Sequence, residues 1–182
     1  MRDIKDDVDN IIVSEEEITK KVSELGRILT EDYKDKQLLC IGVLKGALMF
    51  IADLIRAIPL PLQVDFMAVS SYGSATRSSG IVRILKDLDE DISGKHILIV
   101  EDILDTGLTL NYLIKNLKSR QPASLEICSL LVKKDKQTSG IDPKYVGFTI
   151  PDMFVVGYGL DYDENYRNLK FVGELKKEIL GS

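Results

Sequence analysis

Two adjacent carboxylates, Glu101 and Asp102, are followed by a third, Asp105, and then by Thr106, Gly107, Leu108 and Thr109. An apolar run at 96–100 precedes them, and Leu110, Leu113, Ile114 and Leu117 follow at helical spacing. A strand, a short loop with glycine and hydroxyls, and a helix N-terminus together make an anion site. Free backbone N–H groups and the positive end of the helix dipole face a phosphate there. Gly107 lets the backbone approach closely, and Thr106 and Thr109 can donate hydroxyl hydrogen bonds. The glycine spacing and the missing Lys-Ser/Thr pair exclude a P-loop. Carboxylates beside a phosphate monoester repel it unless they face something else, and sugar hydroxyls or a magnesium shell are the natural partners. An isolated acidic pair reads as solvated loop charge, and a lone aspartate there as a helix cap. The whole run from 100 to 110 does not.

The elements around this segment follow from apolar spacing. Ser14 and Glu17 form a capping box, and Ile18, Val22, Leu25 and Leu29 continue it as one face of a helix. Leu38–Leu44 is an unbroken apolar run, the pattern of a strand covered on both faces. Lys45 and Gly46 break it, and 47–58 reads as a helix stopped by Pro59 and Pro61. Residues 62–70 are strand-like, and 71–80, small, polar and aperiodic, form a long mobile loop. Strands are expected at 81–85, 96–100 (after a turn at Gly94), 125–132, Tyr145–Ile150 and 154–156. The stretch 133–140 is polar, and the tail from Tyr162 is charged and irregular. Buried strands alternating with helices predict an α/β fold with a mostly parallel twisted sheet flanked by helices. Ligands of such sheets bind beyond the carboxyl ends of the strands. Lys45 and Lys133 each stand at such an end, where the ordinary reading is a strand terminus and a surface lysine.

Composition narrows the function classes. The chain has 182 residues, 45% hydrophobic and 29% charged, enough for one globular domain with a core. A net charge of −5 with no basic cluster argues against a nucleic-acid partner. No apolar run approaches the roughly 20 residues that span a bilayer, and the acidic start at 1–7 is not a secretion signal. Cys40 and Cys128 lie in apolar runs and read as small buried hydrophobes. His96, the one histidine, has no companion with which to build a metal site. A soluble, cytoplasmic protein without membrane attachment is expected.

Residues 100–110 closely resemble the phosphoribosyl-pyrophosphate motif of type I phosphoribosyltransferases, and look most like the hypoxanthine/guanine members. The resemblance extends over about 11–173. It implies that Glu101 and Asp102 bind the ribose hydroxyls, that Asp105 lies beside purine N7 as general acid/base, and that Asp105, Thr106, Gly107, Leu108 and Thr109 hold the 5′-phosphate. Leu108 departs from members that carry lysine there, which removes a side-chain charge but no backbone donor. Leu44-Lys45-Gly46 matches the pyrophosphate loop, whose first peptide bond is often cis, and Arg167 matches a second pyrophosphate contact. Lys133 would donate to the purine O6, Phe154 would stack on the base and the Val155 backbone would meet its C2 edge. By pattern alone 154–156 is a core strand.

Asp161, with Glu101 and Asp102, would ligate Mg2+, and Ser71 and Tyr72 would belong to a closing lid. The resemblance also implies a core at about 35–160, a small hood from about 1–15 and 160–182, and a homodimer or homotetramer. The implied reaction joins N9 of hypoxanthine or guanine to phosphoribosyl pyrophosphate, giving IMP or GMP. Two other readings stay open at this point: a phosphoribosyl-pyrophosphate sensor that binds nucleic acid, and a transferase for xanthine, uracil or adenine.

Overall fold

The computed structural model describes residues 3–72, 81–134 and 140–181. A short 3-10 turn at Ile4–Asp7 leads into β1 (Val8–Val13). Helix α1 (Glu15–Asp32) begins with the expected box: the Glu17 N–H donates to Ser14 Oγ, and the Ser14 N–H donates to the Glu17 carboxylate. The main body then runs β2 (Leu38–Leu44), α2 (Leu48–Arg56), β3 (Leu62–Tyr72), β4 (Ile81–Lys86), β5 (His96–Leu104), α3 (Leu108–Lys118), β6 (Ser124–Lys133) and β7 (Tyr145–Ile150). β8 (Val172–Leu175) and a last turn of helix, α4 (Lys177–Leu180), close the chain.

Six strands form one sheet in the order β4-β3-β2-β5-β6-β7. All neighbours are parallel except β3 and β4. This is the α/β architecture that the apolar runs imply, and each run is continuous because both faces of the sheet are covered. Leu38, Cys40, Leu98 and Val100 pack with Ile18, Leu25, Phe50 and Leu54 of α1 and α2. Leu39, Ile41, Ile97 and Ile99 pack on the other face with Leu110, Leu113 and Leu117 of α3. Both cysteines are free and buried, and burial pushes the Cys40 thiol up to about 12. His96 is structural, its Nδ1 lying 2.8 Å from Ser124 Oγ. Among the described residues no helix is long and apolar enough to cross a membrane.

The structure corrects four expectations. β5 does not stop at Val100: Glu101, Ile103 and Leu104 stay paired with Ser129, Leu131 and Val132 of β6, so both adjacent carboxylates are strand residues. β3 likewise continues through Ser71 and Tyr72, held by Val82 and Ile81 of β4, and the rest of the expected loop (73–80) lies outside the described residues. Residues 154–156 make no strand; only Val156 bridges, to Gly173, because Gly157 (φ 98°) and Gly159 (φ 105°) turn the chain at once. Finally, the tail is not wholly irregular. β8 pairs antiparallel with β1 in a separate two-stranded sheet, and Val156, Leu169, Phe171 and Leu175 pack together in a small cluster of their own.

Candidate active site

The carboxyl ends of β2, β5 and β6 deliver the chemistry-bearing residues to one edge of the sheet. Beyond β5, Gly107 takes the left-handed conformation (φ 72°) as N-cap of α3, a position that costs glycine little and other residues more. It offers no side-chain cap, so the first-turn N–H groups of α3 depend on other acceptors, which is the arrangement that suits a phosphate. Leu108, half exposed, stands at the mouth of this cradle.

Glu101 and Asp102 are both deeply placed. Burial, and then the neighbouring Asp102 charge, push the Glu101 carboxyl well above its ordinary range. Burial raises Asp102 to about 6 against the pull of the Ile103 N–H, its own backbone N–H and Arg167. Asp102 faces the turn after β2: a Cβ on Gly46 would collide with its carboxylate, and a Cβ on Gly159 would collide with the Gly46 carbonyl. Glycine at both positions lets three chain segments interlock here. The Leu44–Lys45 peptide bond is cis, in keeping with the resemblance.

At β6, Lys133 is buried, with 8% of its surface exposed, and donates to two carboxylates. Its Nζ lies 3.2 Å from Asp105 Oδ2 and 3.2 Å from Asp152 Oδ1. Phe154, half exposed, meets Tyr162 edge to face with centroids 5.7 Å apart, while the Val155 side chain is buried in the core. Phe154 follows two positions after Asp152, one of the two carboxylates that hold Lys133, and keeps nearly half of its surface open. Residues 157–166 fold into tight turns with positive φ at Tyr158, Asp163, Glu164 and Tyr166. Such conformations cost about 1 kcal/mol or more each and persist where surrounding contacts fix them. Here Arg167 supplies several: Nη1 donates to the Gly159 carbonyl at 2.8 Å, and Nη2 lies 2.8 Å from Asp161 Oδ1 and 3.3 Å from Glu164 Oε1. The other oxygen of Glu164 accepts from Lys45 Nζ at 2.8 Å.

The phosphoribosyl transferase domain matches residues 10–163. This chain belongs to the phosphoribosyl transferase family. Among similar members, the hypoxanthine-guanine phosphoribosyltransferase of Mycobacterium avium is 54% identical, covering 95% of this chain and 88% of its own. That of Bacillus subtilis is 53% identical, covering 98% and 99%. The crystal structure of a hypoxanthine phosphoribosyltransferase from Staphylococcus aureus superposes with a TM-score of 0.94 at 50% identity, covering 97% of this chain and 96% of that one.

Three residues at the site escape a reading of the sequence. Asp152 stands just past a carboxyl end, the position that nominates Lys133, and the same rule could have found it. Tyr162 lies in an aromatic run that looks like core, and Glu164 is one charge in an acidic tail. The expected metal set is not a preformed cage: among the described residues no group of three or more His, Cys, Asp or Glu side chains is arranged to hold a metal. Asp161 is already engaged, by Arg167 and by the Glu164 N–H at 2.9 Å. The donors nevertheless suit a hard cation. Asp102 and Asp161 offer carboxylate oxygens, the ligand type such a cation takes, and a magnesium ion draws several of its ligands from phosphates and water. A separate cavity of ≈ 330 Å³ lies between α1, α2 and residues 167–170, and it touches the site only through Arg167.

Proposed function

We propose that the chain transfers the 5-phosphoribosyl group from phosphoribosyl pyrophosphate to N9 of hypoxanthine, and of guanine, in purine salvage. The observation that carries this reading is the contact of Lys133 with Asp105, 3.2 Å apart at the ends of neighbouring strands. A 6-oxopurine presents an acceptor at C6 beside N7, so an ammonium and a carboxylate side by side answer both edges. Adenine would turn an amino donor toward the lysine and leave it unmatched.

The residues then divide the work. Thr106, Gly107, Leu108 and Thr109 hold the 5′-phosphate at the start of α3, and Lys45, Gly46 and Arg167 receive the pyrophosphate, Arg167 through its planar fork. Phe154 supplies the stacking face and the Val155 backbone meets the C2 edge. In the N7–H tautomer N9 carries the lone pair. As the N9–C1′ bond forms, the C1′–oxygen bond breaks, its electron pair leaves with pyrophosphate, and the N7 proton passes to Asp105. Positive charge on the ribose ring is met by Glu101 and Asp102. Asp102 and Asp161, together with Glu101, would hold a magnesium ion, which would supply charge neutralisation of the pyrophosphate. Cytoplasmic residence and a homodimer or homotetramer belong to the same reading.

Turnover of hypoxanthine, guanine, xanthine, adenine and uracil, each with phosphoribosyl pyrophosphate and magnesium, is followed by absorbance. The expected result is activity with hypoxanthine and guanine, far weaker activity with adenine and none with uracil. No turnover of any 6-oxopurine would overturn the reading.

A further inference from the structure

Lys133 has two carboxylate partners, and the reaction as read above uses only one of them. Asp105 faces the substrate; Asp152 has no part in that scheme. Its placement is nonetheless tightly determined. Lys133 is the last residue of β6 and pairs with Ile150, the last residue of β7, and the Lys134 N–H donates to the Ile150 carbonyl at 3.0 Å. Pro151, whose ring fixes φ, links that anchored strand end to Asp152. The Asp152 carboxylate therefore reaches the ammonium from a rigid neighbouring strand, at the same 3.2 Å as Asp105 on the opposite flank.

An ammonium has three N–H donors. Two are directed here at Asp105 and Asp152, which leaves one for a third acceptor. We propose that Asp152 is a positioning residue for purine recognition: it holds the Lys133 ammonium between the two carboxylates so that its remaining N–H faces the 6-oxo group. The inference rests on the reading of Lys133 as the O6 donor. Asp152 also gives Lys133 a counter-charge that stays when Asp105 takes up the N7 proton. Without Asp152 the lysine would have Asp105 as its carboxylate partner at this site. The incoming base would then have to compete for both members of that pair at once.

The test compares wild-type protein with Asp152→Asn and Asp152→Glu in steady-state kinetics with hypoxanthine and with adenine, and measures pyrophosphate binding calorimetrically. For Asp152→Asn, kcat/KM for hypoxanthine is expected to fall about tenfold or more, the scale of losing one partner of a charged hydrogen bond. The KM for phosphoribosyl pyrophosphate and the affinity for pyrophosphate, which depend on Lys45 and Arg167, should stay within about twofold. Asp152→Glu should recover most of the loss, and the preference for hypoxanthine over adenine should narrow in Asp152→Asn alone. Kinetics of Asp152→Asn within about twofold of wild type would overturn the inference. So would a parallel loss of pyrophosphate binding, which would mark a merely structural role. Absence of hypoxanthine turnover in the wild-type protein would instead sink the functional reading itself.

Discussion

Glu164 shows how single residues set the resting state of the site. Its two carboxylate oxygens occupy Lys45 and Arg167, the two cations assigned to pyrophosphate. Hydrogen bonding to Lys45 holds the Glu164 carboxyl below its ordinary range, so it is an anion wherever the substrate is. Glu164 and Lys45 are both about two-thirds exposed, so solvent screens their attraction and an incoming pyrophosphate can displace it at little cost. Replacing Glu164 by Gln should therefore tighten pyrophosphate binding about two- to fivefold, because a competing anion is removed. Titration calorimetry reads this directly. Weaker binding in the variant would mean instead that Glu164 helps to hold the cations in place.

At the scale of elements, α1 and α2 meet where Gly26 faces the C-cap of α2. A Cβ at position 26 would lie 2.5 Å from the Ala57 carbonyl oxygen and 2.6 Å from Ala57 Cβ. Alanine would improve helix propensity by about 1 kcal/mol. Overpacking against backbone costs about 1–3 kcal/mol, and the Ala57 carbonyl cannot move aside as a side chain could. Gly26→Ala should accordingly lower stability by roughly 1 kcal/mol, seen as a lower urea midpoint at unchanged m-value. An unchanged midpoint would show that the two helices can separate freely, and the covered face of β2 would then be less tightly set than it looks.

Over the whole molecule, the edge of the large sheet is tied down by charge. Asp65 on β3 accepts from the Phe66 N–H at 2.7 Å, from the Asp89 N–H at 2.9 Å and from Lys86 Nζ on β4 at 3.1 Å. Burial works against its ionisation, but these donors win and hold the carboxyl below its ordinary range. A carboxyl depressed in the folded state contributes stability that is present above its unfolded value and lost as pH falls through the folded value. Asp65→Asn should thus be less stable than wild type at neutral pH, with a deficit that narrows below about pH 4. Denaturation midpoints measured across pH 3–7 check this, and a constant deficit would contradict it.

Much of this protein was legible in its residues. The capping box at Ser14, the apolar run of β2 and the Thr-Gly loop before α3 are set by short-range spacing, because each depends on neighbours a few residues away. The same holds for Gly107, whose left-handed conformation is needed by a turn only three or four residues long. Lys45 and Lys133 stood out at strand ends, while their roles, and Asp161 and Arg167 altogether, came through resemblance rather than from spacing.

What only the tertiary structure decided lies between distant parts of the chain. Lys133 meets Asp105 across 28 positions and Asp152 across 19, and Lys45 meets Glu164 across 119. β1 and β8 exist as strands because they pair with each other; β1 carries Asp9, Asn10 and an exposed Ile11, which gives no clean alternation to read. Sheet order and strand register place these groups, and neither is written in local spacing. The sequence alone therefore determined the helices and most strands of the large sheet, and it nominated where a phosphate would bind. The fold alone decided which charges face one another there, because a side chain's partners are fixed by the strand beside it and not by the residues before it.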